Sequence, residues 1–245
     1  MKLLIFCNKC VFESDYENYN YEYLDISDEG VYELICSKGH KTITLLQEEK
    51  FEILFEMGAM ALLDGYCREA VSSFAASLER FYEYFIQVLM THKNIPYEEV
   101  NKSWKMVKNQ SERQLGAFYF LYLNEFKEAP PILSRKIIEF RNNVIHKGKI
   151  PKYDEVISYA TELYRYMVSI LTIVKENYSD TIGSLIFQRQ ENFRRNYPEG
   201  VTYSVSSMPT IIYLASENSI FKKQTFQEGL SELEKRINVR GFYSK

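Results

Sequence analysis

VSSFAASLERFYEYFIQV, residues 71–88, is apolar on a helical beat. Val71, Phe74, Leu78, Phe81, Phe85 and Val88 step by 3, 4, 3, 4 and 3, so at 3.6 residues per turn they share one face. A second stretch repeats the pattern: Val156, Tyr159, Leu163, Tyr166, Ile170 and Val174 step by 3, 4, 3, 4 and 4. Two long helices with one apolar stripe each bury those stripes together, which predicts an antiparallel helical bundle. The stripes read as core packing, not as chemistry. Shorter helices are expected over 49–63, 112–126 and 131–147, so residues 48–178 form a helical domain.

Outward from that domain the pattern changes. Residues 1–47 read as short strands: SDEG marks a turn between Ile26 and Tyr32, and KTITLL at 41–46 is β-branched. Residues 179–245 read as a small mixed α/β extension broken by Pro198, Gly200 and Pro209, with PTIIYLA at 209–215 as a strand and QTFQEGLSELEKRI at 224–237 as an amphipathic helix. Overall the chain is expected to be mainly α, a bundle preceded by a small β segment and followed by this extension. Its 245 residues suit one large domain or two to three small ones.

Charge and hydropathy exclude some functions. The net charge of −3 supplies no general basic field for nucleic acid, so any such contact is local. No apolar run reaches the roughly 18 residues of a membrane span, and MKLLIFCNKC is too short for a signal peptide. A cytoplasmic protein without membrane contact is expected. QRQENFRRNYP at 188–198 interleaves Arg189, Arg194 and Arg195 with Phe193 and Tyr197. Such a run can grip single-stranded RNA, though a solvated helix end is the simpler reading.

Cys7-Asn-Lys-Cys10 is followed, after 25 intervening residues, by Cys36-Ser-Lys-Gly-His40. Three thiolates and one imidazole on two short knuckles are the ligand set of tetrahedral Zn²⁺. Lys9 and Gly39 suit the knuckle turns. A segment this small builds little core of its own, and zinc would supply roughly 10 kcal/mol or more of folding free energy. With every ligand position filled by protein, the predicted zinc is structural. Between the two pairs, Glu13, Asp15, Glu17, Glu22, Asp25, Asp28 and Glu29 argue against a phosphate-binding ribbon. The remaining Cys67 lies in an apolar helical context and reads as core.

RNNVIHKGKIP, residues 141–151, ends the helix predicted at 131–147. On a helical wheel Leu133, Ile137, Phe140 and Val144 fall in one arc. Ile138 and Ile145 make a second apolar strip, Arg141 lies between the two, and Asn142 and His146 share a third face. A peripheral helix needs only one apolar side, so the second strip implies a further helix or a partner subunit. Gly148 is placed to cap the helix and Pro151 to stop it. The carbonyl end favours a partly protonated His146 able to exchange a proton, and Arg141 suits a phosphate. Together they suffice for RNA cleavage by attack of a ribose 2′-hydroxyl on the neighbouring phosphate. The plainer alternative is an Arg and a His interacting with the helix dipole.

The run Arg141-Asn142-Asn143-Val144-Ile145-His146 resembles the Rx4–6H signature of HEPN domains, a helical-bundle superfamily common in prokaryotic defence and toxin systems. GYCREAVSSFAASLERFYEYF upstream, and HKGKIP with the long helix after it, resemble that family too. The likeness covers about residues 49–178. It implies a bundle of four to five helices that dimerises into one composite cleft, and a metal-independent endoribonuclease leaving 2′,3′-cyclic phosphate ends. By the resemblance Arg141 and His146 are the catalytic pair and Asn142 their polar companion, and an acidic residue on the first long helix, Glu79 in preference to Glu83, holds the Arg. Some members carry a Tyr two residues after the His; here Gly148 stands there. Two readings follow: a homodimeric ribonuclease acting on RNA, with a neutralising protein partner possible, or a non-catalytic ribbon-and-bundle module that recognises a protein or nucleic acid.

Overall fold

The computed structural model describes residues 1–13, 20–197, 201–216 and 223–239. Asp15 and Glu17 of the acidic segment, and the helix breakers Pro198 and Gly200, lie outside them. In chain order the described residues form β1 (Lys2–Phe6), α1 (Asn8–Phe12), β2 (Tyr21–Asp25), β3 (Val31–Ile35), β4 (Lys41–Leu46), α2 (Lys50–Leu63), α3 (Cys67–His92), α4 (Tyr97–Val107), α5 (Ser111–Phe126), α6 (Arg135–Lys147), α7 (Tyr153–Asn177), α8 (Ser179–Arg195), β5 (Thr202–Ser206) and α9 (Phe226–Val239). The protein is therefore mainly helical, with small sheets. It divides into two compact units, Met1–Glu48 with Gly183–Pro209, and Glu49–Ile182 with Thr210–Lys245. The region expected as a separate extension from 179 is thus shared between the two, and the boundary at 182 and 183 falls inside α8.

In the smaller unit β1 and β2 pair antiparallel from Lys2↔Asp25 to Phe6↔Tyr21. β3 and β4 form a hairpin ending at Ile35↔Lys41, which leaves residues 36–40 as its turn. β5 then adds to β4 in parallel, Thr42↔Thr202 to Leu46↔Ser206. This makes β4 the centre of a three-stranded sheet, and Thr42 to Leu46 are all buried, as in strands covered on both faces. The strand expected at 209–215 is corrected: the strand is Thr202–Ser206, where Tyr203 and Val205 alternate with Thr202, Ser204 and Ser206. One further difference concerns the CxxC. It lies on the short helix α1 instead of a strand-borne knuckle.

In the helical unit both stripes are core. Val71, Phe74, Phe81, Phe85 and Val88 of α3 are completely buried, and so, to within a few per cent, are the six stripe residues of α7. Leu78 alone remains half-buried. Helices appear at all the expected places, and α1, α4 and α8 add to them. A capping box of Glu49 and Glu52 starts α2. α2 lies so close to α3 that a Cβ on Gly58 would come within 2.7 Å of the Phe74 ring.

The segment after Pro209 does not pair as a strand because buried carboxylates of α2 take its backbone donors. Glu56 accepts the Ile211 N–H at 2.9 Å and Glu52 accepts that of Leu214 at 2.8 Å. Arg236 of α9 bonds the other oxygen of Glu56 at 3.0 Å. Ile211 and Ile212 are nevertheless core residues, so the apolar run is buried as expected while its backbone is irregular. Among the described residues no helix is long and apolar enough to cross a membrane.

Candidate functional site

In the smaller unit the two cysteine pairs come together. One ligand atom from each of Cys7, Cys10, Cys36 and His40 lies within 4.8 Å of all the others. The thiols are buried. Cys10 Sγ stands 3.8 Å from Cys36 Sγ and 3.4 Å from His40 Nδ1, and Cys7 Sγ lies 3.9 Å from the same nitrogen. A tetrahedron with metal–sulfur bonds of about 2.3 Å has edges of about 3.8 Å, so these residues fit one four-coordinate ion. The geometry follows from local structure. Helix α1 carries Cys10 one turn beyond its N-cap Cys7, and Gly39, at φ +78°, closes the hairpin that brings Cys36 and His40 together.

The surroundings act on the thiols in opposite directions. Burial, with the Cys7 and Cys36 thiols adding, pushes the Cys10 thiol up to about 11. Cys36 moves the other way: burial raises it, but hydrogen bonds from the His40 and Lys38 backbone outweigh that and hold it below its usual value. His40 presents Nδ1 to the thiols and Nε2 to Glu13, 3.9 Å away. A carboxylate behind a ligating imidazole fixes its orientation. Asn20 Nδ2 approaches Cys10 Sγ at 3.7 Å. Cys67 belongs to the other unit and has no part in the cluster.

In the helical unit the structure assembles the predicted Arg–His group. Gly148 takes φ +70° as the cap of α6, and the Lys149 N–H returns to the Asn143 carbonyl at 3.0 Å. Ile137 and Val144 are buried, while Ile138 is 43% exposed. Between the two strips the Arg141 guanidinium makes three contacts: Nη2 donates to Glu79 Oε1 of α3 at 3.1 Å, Nη1 to Asn142 Oδ1 at 3.0 Å, and Nη1 lies 3.2 Å from His146 Nε2. With Nη1 as donor, Nε2 is the acceptor and the imidazole proton sits on Nδ1. Arg141 and Glu79 side chains are 21% and 29% exposed, and His146 is exposed. Chemically this is a fixed, partly neutralised cation hydrogen-bonded to an exposed imidazole whose Nε2 becomes a proton acceptor when that bond opens. Of the two acidic candidates only Glu79 reaches Arg141; Glu83 pairs with Arg80 at 2.7 Å.

The third histidine, His92, and the Arg and aromatic residues of 188–198 lie elsewhere. His92 Nδ1 meets Thr181 Oγ1 at 3.3 Å and its ring packs on Tyr178. Arg189 donates to the Leu46 and Gln47 carbonyls and so acts as a structural tether. Arg194 lies 3.8 Å from Glu191, and Phe193 packs on Tyr197 and Tyr203. Sequence reasoning missed one residue of the Arg141 neighbourhood, Tyr159. It is 2% exposed and close enough to Arg141 and Glu79 to feel both charges. Its place in the α7 stripe gave no signal beyond core. Searches against known protein families, curated proteins and solved structures find no match to this chain.

Proposed function

We propose that the chain is an endoribonuclease of the HEPN type, cutting RNA by attack of a ribose 2′-hydroxyl on the adjacent phosphate. The observation that carries this reading is the Arg141 guanidinium, held by Glu79 across from α3 and set 3.2 Å from His146 Nε2. Arg141 offers N–H groups to the phosphate oxygens, whose charge grows in the transition state. As the Arg141 N–H turns from His146 to the phosphate it frees Nε2, which accepts the 2′-hydroxyl proton as the new P–O bond forms. The 5′-oxygen leaves with its bonding pair and requires a proton of its own. One chain supplies a single histidine here, so a second copy supplies the acid, and the working form is a homodimer across the exposed strip that includes Ile138. The reaction yields a 2′,3′-cyclic phosphate and a 5′-hydroxyl end without a metal.

Cys7, Cys10, Cys36 and His40 are read as a structural Zn²⁺ site that stabilises the small unit and takes no part in the chemistry. The test is incubation of labelled RNA with the purified chain and no added divalent cation, with analysis of the ends. We expect cyclic-phosphate ends from wild type, and a loss of about 100-fold or more in His146→Ala and Arg141→Ala. Equal cutting by wild type and both variants sinks the reading. Absence of cutting by all three, together with saturable RNA or protein binding, points to the non-catalytic module instead.

A further inference from the structure

Beside Arg141, residues of α3, α5, α6 and α7 line an open pocket of about 170 Å³. Leu78, Leu115, Ile137 and Ile138 give it aliphatic walls, and Tyr82, Tyr119 and Tyr159 give it aromatic ones. Leu78, the one stripe residue of α3 left half-buried, opens onto it. Glu79, Arg141 and Asn142 belong to the same lining, so the pocket and the Arg–His group are continuous.

Tyr159 points to a ligand. Its side chain is 2% exposed, yet among the described residues none hydrogen-bonds its hydroxyl, whereas Tyr82 bonds Tyr166 at 3.3 Å. The hydroxyl oxygen itself is not cut off from solvent, and with Tyr159 in the pocket lining it is open there to a ligand. Burial raises its pKa, so it remains a neutral O–H donor. The volume is below the roughly 300 Å³ at which pockets for drug-sized ligands begin, and suits one flat ring system with polar edges. Aromatic and aliphatic walls favour stacking on such a ring.

We propose that this pocket takes a single nucleobase, with its ribose phosphate directed to the Arg141 guanidinium. The choice of a nucleobase over other planar rings rests on the ribonuclease reading. That base can belong to the RNA substrate or to a free nucleotide, and the chemistry of recognition is the same.

The test uses the full-length His146→Ala protein, titrated calorimetrically with the four nucleosides and with their monophosphates. At least one nucleoside is expected to bind saturably, and its monophosphate more tightly. On the same background Leu115→Trp, which fills the pocket, weakens nucleoside binding on the order of tenfold or more. Tyr119→Ala serves as the second variant should Leu115→Trp lower the melting temperature. Failure of every nucleoside to bind saturably, or undiminished affinity in both variants, overturns the inference. Competition of the bound nucleoside with RNA in the wild-type cleavage assay identifies the substrate's own base; altered cleavage without competition identifies a free nucleotide. Nucleoside binding in a protein that cuts no RNA overturns the ribonuclease reading and leaves the pocket assignment standing. Cutting without nucleoside binding does the reverse.

Discussion

Glu79 shows how one side chain positions another. It carries no reacting atom, but it holds the Arg141 fork while Asn142 and His146 take the other guanidinium nitrogen. Glu79→Gln keeps an oxygen acceptor and loses the charge, so kcat is expected to fall roughly tenfold with KM little changed. Glu79→Ala should fall further, and rates equal to wild type in both variants remove Glu79 from the site. Glu125 illustrates a second single-residue effect, on stability. Hydrogen bonding by Lys93 and then by Tyr178 holds its carboxyl below the usual 4.5. A depressed folded value means that its stabilisation is complete above the unfolded pKa and is lost as pH falls through the folded one. The melting-temperature gap between wild type and Glu125→Gln should therefore be largest near neutral pH and shrink on acidification below about 4.5. A gap that widens in acid contradicts the assignment.

Among the elements, α2 is governed by close approach. In an exposed helix Ala at position 58 is favoured over Gly by about 1 kcal/mol. Here an added Cβ meets Phe74 at 2.7 Å, and Phe74 is fully buried against Phe55 and Phe226. Gly58→Ala is thus expected to destabilise by about 1–3 kcal/mol through overpacking, readable as a lower denaturation midpoint at constant slope. A raised midpoint shows that the ring yields at no cost. The same helix explains where element prediction failed. PTIIYLA has the composition of a strand, but Glu52 and Glu56 reach its N–H groups first. The real strand, β5, forms because β4 offers an open edge, and an edge supplied from far along the chain leaves little trace in a short polar run.

For the whole molecule, metal is the clearest lever. We expect about one zinc per chain, and we expect chelation to unfold the smaller unit, removing roughly 10 kcal/mol or more of stabilisation. The only tryptophan, Trp104, lies in α4 of the helical unit, so its fluorescence should persist while strand signal in circular dichroism is lost. A chain that keeps both signals after chelation, or carries no metal when purified, lacks the site. Loss of both signals instead makes the two units one cooperative body.

Much of this was legible in the residues themselves. The period of 3.6 in α3 and α7 demands buried stripes whatever they meet, because apolar side chains leave water on one face of a helix or not at all. Likewise the CxxC and CxxGH spacings each set two candidate ligands side by side, and Gly148 ends α6 by its own backbone freedom. Other features depend on which surfaces come together in space. Nothing local selects Glu79 over Glu83 as the partner of Arg141, makes a pocket wall of Tyr159 instead of plain core, or takes β5 to β4 across an intervening helical unit. Those outcomes depend on atoms distant in sequence approaching within a few ångströms, and an ion pair, a pocket and a strand edge exist only once packing has brought both sides to the same place.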